Sequence, residues 1–325
     1  MIHLEVREYL SMTVNLGMVA LIQHTHLILT EITLTYKGII LAGGRGTRLY
    51  PTTSVVSKQL LNVYDKPLIY YPLSTLMLAG IREILIISAE DQYPQYERLF
   101  GDGSHLGISI QYKIQPKPNG LPEAFILGEE FIGDDNVCMI LGDNIIFGNQ
   151  LDSILKKSQT GTGGTILTYP VKDAERFGVV EFEGFDTGKV LSIEEKPTHP
   201  KSNRALIGVY FFDNRCIEYA KQLIPSKRKE IEIVDLCKKY LDNGELTVNN
   251  LTRTMTWIDA GTFKSLLLAS NLICNLEEIQ SYKISCPEEV AFKSGWIDKE
   301  QLLKLAATYP KGEYQSYLNL LPSYE

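Results

Sequence analysis

Basic residues are in deficit in this 325-residue chain. Lysine and arginine together number 32 against 39 aspartates and glutamates, which gives a formal net charge of −7 at pH 7. Because a nucleic-acid-binding surface needs a basic excess to neutralise phosphates, this balance argues against nucleic acid as a partner. An acidic protein can still bind a small phosphate compound through a few local lysines and arginines.

Regular cysteine spacing and long apolar runs are also missing. The five cysteines include no C-x-x-C pair, so neither a disulfide framework nor a metal site is indicated, and a reducing cytoplasm fits best. The N-terminal stretch is rather apolar, but His24, His26 and Glu31 interrupt it before it reaches the roughly 18 residues of a membrane span. We therefore interpret residues 1–36 as an extension outside the functional fold and expect no membrane partner.

From Lys37 onward, short β-branched runs alternate with helical stretches. Strands are predicted at residues 38–41, 83–87, 108–112 and 137–141, and helices at 68–79 and 122–131. This alternation is typical of βαβ units and predicts an α/β fold with a Rossmann-like, doubly wound, mostly parallel sheet. In such sheets, ligands bind beyond the carboxyl ends of the strands.

After about Gln150 the pattern changes. A β-hairpin is predicted from residues 177–182 and 190–193, followed by a strand at 206–212, a helix at 231–241 and a further helix that starts near Thr262. No repeat or low-complexity linker divides the chain. The sequence therefore predicts one domain over residues 37–325, made of two halves (37–150 and 151–285) and a helical tail (286–325).

A glycine-rich segment, LAGGRGTRLYP at residues 41–51, directly follows the first predicted strand. Backbone amides in such a loop can approach an anion. A Walker loop would need lysine where Gly44 stands, and the dinucleotide fingerprint would need a third glycine where Leu49 stands. Both standard phosphate loops are excluded, and a Rossmann dehydrogenase with them.

The remaining pattern, L-A-G-G-x-G-T-R-L followed by Ser57-Lys58-Gln59, resembles the signature of the sugar-nucleotide pyrophosphorylases. The resemblance continues through LGDN, FGVVEF, EEKP, GVYFFD and WIDAGT, and it spans Lys37 to about Leu320. It implies the nucleotide-diphospho-sugar transferase fold and a reaction between a nucleoside triphosphate and a sugar 1-phosphate that releases diphosphate. It also implies that residues 37–150 bind the nucleotide and residues 151–285 the sugar phosphate.

The run KPLIYYPLSTLMLAGI and the late CPEE narrow the resemblance within that family. They imply dTTP and α-D-glucose 1-phosphate as substrates, dTDP-glucose as product, Mg²⁺ as cofactor and a homotetramer. The same resemblance implies a place early in the synthesis of dTDP-rhamnose and related deoxysugars for polysaccharides.

Residue chemistry and the resemblance together give a nucleotide-binding set. Glycine amides can surround phosphate oxygens where side chains would clash, and Arg48 and Lys58 can supply positive charge to the triphosphate and the departing diphosphate. Gln115 and Gly120 match positions that read the base. The expected nucleotide-binding residues are Leu41, Ala42, Gly43, Gly44, Gly46, Thr47, Arg48, Lys58, Gln59, Gln115, Gly120 and Asp143.

Two aspartates, Asp143 and Asp259, each follow an apolar run and precede a tight turn. Beside phosphate substrates, such a pair suggests a site for Mg²⁺, and the matching aspartates of the family hold the metal. The resemblance also implies a sugar-phosphate-binding set, consisting of Asn144, Gly178, Glu195, Lys196 and Leu206. The expected catalytic residues are Arg48, Lys58, Asp143, Lys196 and Asp259.

Two positions depart from the family pattern and leave fine substrate preference open. Glu123, after Pro122, stands where close members usually carry a neutral side chain, and Phe177 replaces a common tyrosine. Two alternatives therefore remain: the same reaction with UTP or another sugar phosphate, and a non-catalytic homologue that binds nucleotide sugar. The intact catalytic charges count against the second alternative.

Overall fold

The computed structural model describes residues 35–184 and 188–323. The extension predicted at the N-terminus lies almost wholly outside the described residues. The first half contains β1 (Tyr36–Leu41), β2 (Asn62–Val63), β3 (Lys66–Pro67), α1 (Tyr70–Leu78), β4 (Glu83–Ser88), α2 (Tyr93–Phe100), β5 (Ser109–Ile114), α3 (Glu123–Leu127), α4 (Glu129–Ile132), β6 (Asn136–Leu141) and β7 (Asn144–Gly148).

The remainder is richer in antiparallel strands and ends in helices. It contains α5 (Leu151–Lys157), β8 (Gly164–Pro170), β9 (Gly178–Phe182), β10 (Val190–Glu195), β11 (Arg204–Phe212), α6 (Arg215–Lys221), α7 (Ile233–Asp242), β12 (Leu246–Asn250), β13 (Met255–Asp259), α8 (Phe263–Gln280), α9 (Pro287–Lys293), α10 (Lys299–Thr308) and α11 (Glu313–Leu320). The long α8 begins with a capping box, in which the Thr262 hydroxyl accepts from the Ser265 amide at 3.1 Å.

One central sheet organises the described chain. Strands β6, β1, β4 and β5 run parallel in that spatial order, and β11 joins β6 on its other side in the antiparallel sense. The β9–β10 hairpin and β8 extend the sheet beyond β11, while β12 pairs parallel to β8. The predicted α/β fold with a mostly parallel central sheet is confirmed, with antiparallel strands added from the second half.

Helices cover both faces of this sheet, which explains why its central strands are apolar without alternation. Ile40 of β1 belongs to a core that includes α1, α9 and α10, whereas its neighbour Ile39 belongs to a core that includes α3, α6 and α7. Successive side chains of a strand point to opposite faces. The carboxyl ends of β1 and β6 are therefore held between two packed layers, where a site can be built rigidly.

A bulge bends β11 where it passes the end of β6. The pairing of β11 with β8 shifts register between Leu206 and Tyr210, and Gly208 there adopts a φ of +72°. A Cβ at Gly208 would lie 2.4 Å from the side-chain nitrogen Nδ2 of Asn144, so only glycine fits at this position. The bulge lets β11 pass close to the turn at Asp143 and to Asn144, the first residue of β7.

The predicted helix at 122–131 is wrong as a single element, because Gly128 ends α3 and separates it from α4. The other predicted strands and helices are present with small shifts of their ends. No helix within the described ranges is long and apolar enough to cross a membrane.

Candidate active site

A cavity of about 430 Å³ opens at the carboxyl ends of β1 and β6, where Leu41 and Leu141 end those strands. Both halves of the chain contribute to its wall. The predicted site residues that line it are Leu41, Gly44, Arg48, Gln115, Gly120, Asp143, Asn144, Gly178, Glu195, Lys196, Leu206 and Asp259. The remaining predicted residues, all within the described part of the chain, do not line it: Ala42, Gly43, Gly46, Thr47, Lys58 and Gln59.

The two predicted metal ligands are brought together by a separate two-stranded sheet. Strand β13 pairs antiparallel with β7 so that Asp259 faces Asn144, and the Ala260 amide donates to the Asp143 carbonyl at 3.0 Å. In the sequence, both aspartates follow an apolar run. Only Asp143 follows a strand of the central sheet, because β13 belongs to the smaller one.

Opposite charges surround this pair of carboxylates. The Lys58 ammonium lies 2.5 Å from Asp143 Oδ2, and an Arg176 guanidinium nitrogen lies 3.7 Å from Asp259 Oδ2. Burial, and next to it the negative charge of Asp143, raise the pKa of the Asp259 carboxyl, while Arg48, Lys58 and Arg176 partly offset this rise. The two carboxylates therefore repel each other in the free protein.

This pair has the chemistry of a hard-cation site. Carboxylate oxygens are the ligands that Mg²⁺ prefers, and a divalent cation would relieve the repulsion that raises the pKa of Asp259. Across the described residues, no group of three or more histidine, cysteine, aspartate or glutamate side chains is placed to hold a metal ion. A cation at Asp143 and Asp259 would need further oxygens from water or from phosphate.

The glycine loop packs tightly around the side chains of Gln115 and Lys58. A Cβ at Gly43 would lie 2.4 Å from Gln115 Oε1, and one at Gly46, where φ is +59°, would lie 3.1 Å from the Lys58 Cβ. Glycine is required at both positions because the loop backbone packs directly against the side chains of Gln115 and Lys58. Gln59 is buried behind these glycines, and its Oε1 accepts from the Ser57 hydroxyl at 2.7 Å.

In the cavity wall, Gln115 is fixed by an acidic neighbour. Its Nε2 donates to Glu123 Oε2 at 2.6 Å, and the Asn119 side-chain amide donates to Glu123 Oε1 at 2.6 Å. The loop continues to Gly120, where a Cβ would lie 2.0 Å from the Ile231 carbonyl oxygen. This contact joins the first half of the chain to the second.

Elsewhere in the cavity wall, β10 ends at Glu195 and Lys196 follows it. Lys196 has a backbone φ of +45°, which residues other than glycine rarely adopt. Its backbone amide donates to the Phe177 carbonyl at 2.9 Å. Burial raises the pKa of the Glu195 carboxyl, Lys196 lowers it, and the nearby Glu232 raises it further. Strained backbone at a lining residue is characteristic of functional sites.

Asn144 lies at the centre of the wall with both polar atoms engaged. Its Nδ2 donates to the Ile207 carbonyl at 2.5 Å, and its Oδ1 accepts from the Trp257 indole at 3.2 Å. Trp257 in turn meets the Phe177 ring edge-on, with centroids 5.2 Å apart. Asn144 therefore joins β7, β11 and β13, and an aromatic wall lies beside Glu195 and Lys196 in the same cavity.

Two lining arginines were missed by sequence reasoning. Arg228 lies 2.8 Å from Glu232 and 3.5 Å from Glu195, and Arg176 lies against both Asp259 and the Phe177 ring. Arg176 ends a short 3₁₀ helix (Ala174–Arg176) and Arg228 lies in a turn, and no periodicity marks either position. Arg176 directly precedes the FGVVEF segment, and that position was the one available signal.

Comparison with known proteins gives a consistent result. The nucleotidyl transferase family matches residues 37–275 of the chain. The chain is 55% identical over 283 residues to the glucose-1-phosphate thymidylyltransferase of Neisseria meningitidis, which covers 87% of this chain and 98% of that protein. It is 51% identical over 282 residues to the enzyme of the same name from Mycobacterium tuberculosis, covering 87% and 97% respectively.

Solved structures show the same relationship. A Bacillus anthracis protein assigned as a glucose-1-phosphate thymidylyltransferase, crystallised with sucrose, superposes with a TM-score of 0.67 at 39% identity, over 73% of this chain and 95% of that one. A UDP-glucose pyrophosphorylase bound to UDP-glucose superposes with a TM-score of 0.66 at 24% identity, over 74% and 99%. The second likeness shows a shared fold.

Proposed function

The chain belongs to the nucleotidyl transferase family, among the glucose-1-phosphate thymidylyltransferases, and we propose how its cavity performs that reaction. In this reaction dTTP and α-D-glucose 1-phosphate give dTDP-glucose and diphosphate. One observation carries the assignment of roles: Gly44 and Arg48 of the glycine loop, the paired aspartates and the Glu195–Lys196 turn all line one cavity. An oxygen of the sugar phosphate attacks the α-phosphorus in line, so no covalent intermediate with the protein is needed.

The nucleotide occupies the end of the cavity formed by the first half of the chain. Gln115 and Gly120 bind the base, and the backbone of the glycine loop faces the phosphates. Arg48 lines the cavity, and Lys58 lies behind Asp143. Both cations offset the repulsion between two polyanionic substrates and stabilise the charge on the diphosphate as it leaves.

Asp143 and Asp259 bind Mg²⁺ in this proposal. Nucleotidyl transferases are generally metal-dependent, and the two carboxylates, which repel each other in the free protein, supply the hard oxygen ligands that suit this ion. A bound Mg²⁺ would supply positive charge to the reacting phosphate oxygens.

The sugar phosphate occupies the end lined by the second half. Lys196 binds the phosphate, and Glu195 accepts hydrogen bonds from sugar hydroxyls. Gly178 and Leu206 line the space for the ring, which lies beside Trp257 and Phe177. Arg228 pairs with Glu195 and Glu232, and it therefore fixes the carboxylate that meets the sugar.

Three further assignments follow from the resemblance. We propose a cytoplasmic homotetramer that supplies dTDP-glucose for deoxysugar synthesis. Exposed apolar side chains on α8, at Phe263, Leu267 and Leu268, support a surface that another copy of the chain covers. Sedimentation velocity tests the assembly: a single species with the mass of four chains is expected, and a stable monomer would contradict it.

The roles of the charged residues are tested by exchanging them one at a time. Lys196→Met should raise the KM for glucose 1-phosphate with little change in the KM for dTTP. Arg48→Met should instead reduce kcat. If the two variants showed the same kinetic pattern, the division of the cavity into a nucleotide end and a sugar-phosphate end would be wrong.

A further inference from the structure

Gln115 is the base-reading side chain of the proposed function, and Glu123 controls how that side chain is oriented. Gln115 is 5% exposed and lines the cavity. A glutamine amide has an oxygen that accepts and a nitrogen that donates, and the two groups are nearly identical in shape. The contacts of the amide therefore decide which group faces a ligand.

The contacts around Gln115 permit one orientation. Glu123 Oε2 lies 2.6 Å from Gln115 Nε2, and an ionised carboxylate accepts hydrogen bonds but donates none. Only the amide nitrogen of Gln115 can therefore face Glu123. Gln115 Oε1 then lies on the side of the glycine loop, where a Cβ on Gly43 would approach it to 2.4 Å.

Glu123 is itself held in place by Asn119. The Asn119 side-chain amide donates to Glu123 Oε1 at 2.6 Å, and its backbone amide donates to Glu123 Oε2 at 3.3 Å. The Asn119 carbonyl in turn accepts from the Ile231 amide at 2.8 Å, which ties the loop to the second half of the chain. The carboxylate is a fixed acceptor in a closed set of contacts, and charge-assisted bonds of this length are strong.

The fixed orientation matches one class of pyrimidine. Thymine and uracil present an N3–H donor beside carbonyl acceptors, so they pair with a Gln115 that offers its Oε1 to N3–H and its second Nε2–H to a carbonyl. Cytosine presents the reverse, an N3 acceptor beside an amino donor. It would need Gln115 rotated by half a turn, with Oε1 facing Glu123.

We propose that Glu123 is a specificity-determining positioning residue, which selects thymine-type over cytosine-type bases by locking the Gln115 amide. This inference rests on the proposed placement of the base at Gln115. A neutral glutamine at position 123 could either donate or accept, so it would permit both orientations of Gln115. The carboxylate excludes the orientation that cytosine requires, because that orientation would place two acceptor oxygens against each other.

The test compares Glu123→Gln and Glu123→Met with the wild type. Neither variant carries the carboxylate, and both keep the approximate size of the side chain. Glu130→Gln is the matched control, because Glu130 is an exposed carboxylate on the neighbouring α4. For each protein, kcat/KM is measured for dTTP and for dCTP with glucose 1-phosphate, and the binding of both nucleotides is measured by calorimetry.

We expect the preference for dTTP over dCTP to fall about tenfold or more in both Glu123 variants, mainly through KM and binding, and to stay unchanged in Glu130→Gln. The calorimetric ratio tests the orientation of Gln115 even without turnover. A wild type that binds dTTP but does not convert it would refute the proposed function alone. A dTTP-to-dCTP binding ratio unchanged within about twofold in both Glu123 variants would overturn the role of Glu123, as would a wild type that does not prefer dTTP.

Discussion

Asp143 and Asp259 are neighbours with different partners. Asp143 pairs with Lys58 at 2.5 Å, whereas the pKa of Asp259 is raised by burial and by the charge of Asp143. An acid whose pKa is higher in the folded than in the unfolded state destabilises the folded protein once it ionises. That loss begins as the pH rises through the ordinary value of 3.8 and is complete above the raised pKa.

We therefore expect the two asparagine variants to lose activity alike but to differ in stability. Asp143→Asn and Asp259→Asn should each lower kcat by about 10² to 10³, because each removes an anionic ligand of the metal in the proposed site. In EDTA at pH 7, Asp259→Asn should melt above the wild type. Asp143→Asn should melt below the wild type, because Lys58 then lacks its carboxylate partner. This should lower the free energy of unfolding by about 1–3 kcal/mol.

Thermal melts in EDTA and turnover against Mg²⁺ concentration check both parts. The stability gain of Asp259→Asn should shrink as the pH falls through the raised pKa of the folded wild-type carboxyl toward the ordinary value of 3.8. A gain that is independent of pH would contradict the electrostatic explanation. Full activity in EDTA would contradict the metal site.

Lys196 combines a charge with a strained backbone, and the two can be separated. Its φ of +45° suits glycine better than any side chain. Lys196→Gly and Lys196→Ala should both raise the KM for glucose 1-phosphate, because both remove the ammonium. Chemical denaturation should show Lys196→Gly more stable than Lys196→Ala by about 1 kcal/mol. Equal stability of the two variants would mean that the turn relaxes without strain.

The strain at Gly208 in the β11 bulge can be tested against a matched control, Gly244. Gly208 and Gly244 both adopt a φ of +72°, but a Cβ on Gly208 would overlap Asn144 and Leu141, whereas a Cβ on Gly244 would meet nothing within 4 Å. Gly244→Ala should therefore lower the free energy of unfolding by only about 1 kcal/mol, the cost of placing alanine at a positive φ. Gly208→Ala should lower the free energy of unfolding by about 1–3 kcal/mol more, because its Cβ would overlap neighbouring atoms.

Denaturant unfolding of both variants gives the comparison directly. Gly208→Ala should also reduce kcat/KM, since the bulge passes beside Asn144 in the cavity wall. Matching losses in the two variants would show that β11 can shift without disturbing the site.

The elements that the sequence predicted best are those with both faces buried. Strands β1, β4 and β6 are continuous apolar runs bounded by turn residues, so their location follows from composition alone. The sequence missed β12, whose residues Leu246–Asn250 are mostly polar and only partly buried. Their strand conformation comes from pairing with β8, and that contact is far away along the chain.

The sequence likewise identified some residues of the site and missed others. Motif residues such as Asp143 and Lys196 were found because their neighbours in sequence mark them. Arg228 was not found, since its role depends on Glu195 and Glu232 meeting it in the folded chain. Glu123 was noticed as a departure from the family pattern, but its hydrogen bond to Gln115 follows only from the structure.

For the protein as a whole, we expect the catalytic unit to begin near Lys37. The nucleotidyl transferase family matches from residue 37, and the relative from Neisseria meningitidis aligns with 87% of the chain while covering 98% of its own length. Deleting residues 1–33 should leave turnover and the melting temperature nearly unchanged. A truncated protein that is insoluble, or that loses most of its activity, would show that the segment contributes to the fold or to an interface.

The identity of the nucleotide is the central claim, and one measurement tests it most directly. Diphosphate release is followed with glucose 1-phosphate and each of dTTP, UTP, CTP and ATP. We predict dTTP as the best substrate, with UTP second because it presents the same hydrogen-bonding edge to Gln115. The missing 5-methyl alone, probed with dUTP, should lower kcat/KM only about tenfold. Equal or faster release with CTP or ATP would contradict the account.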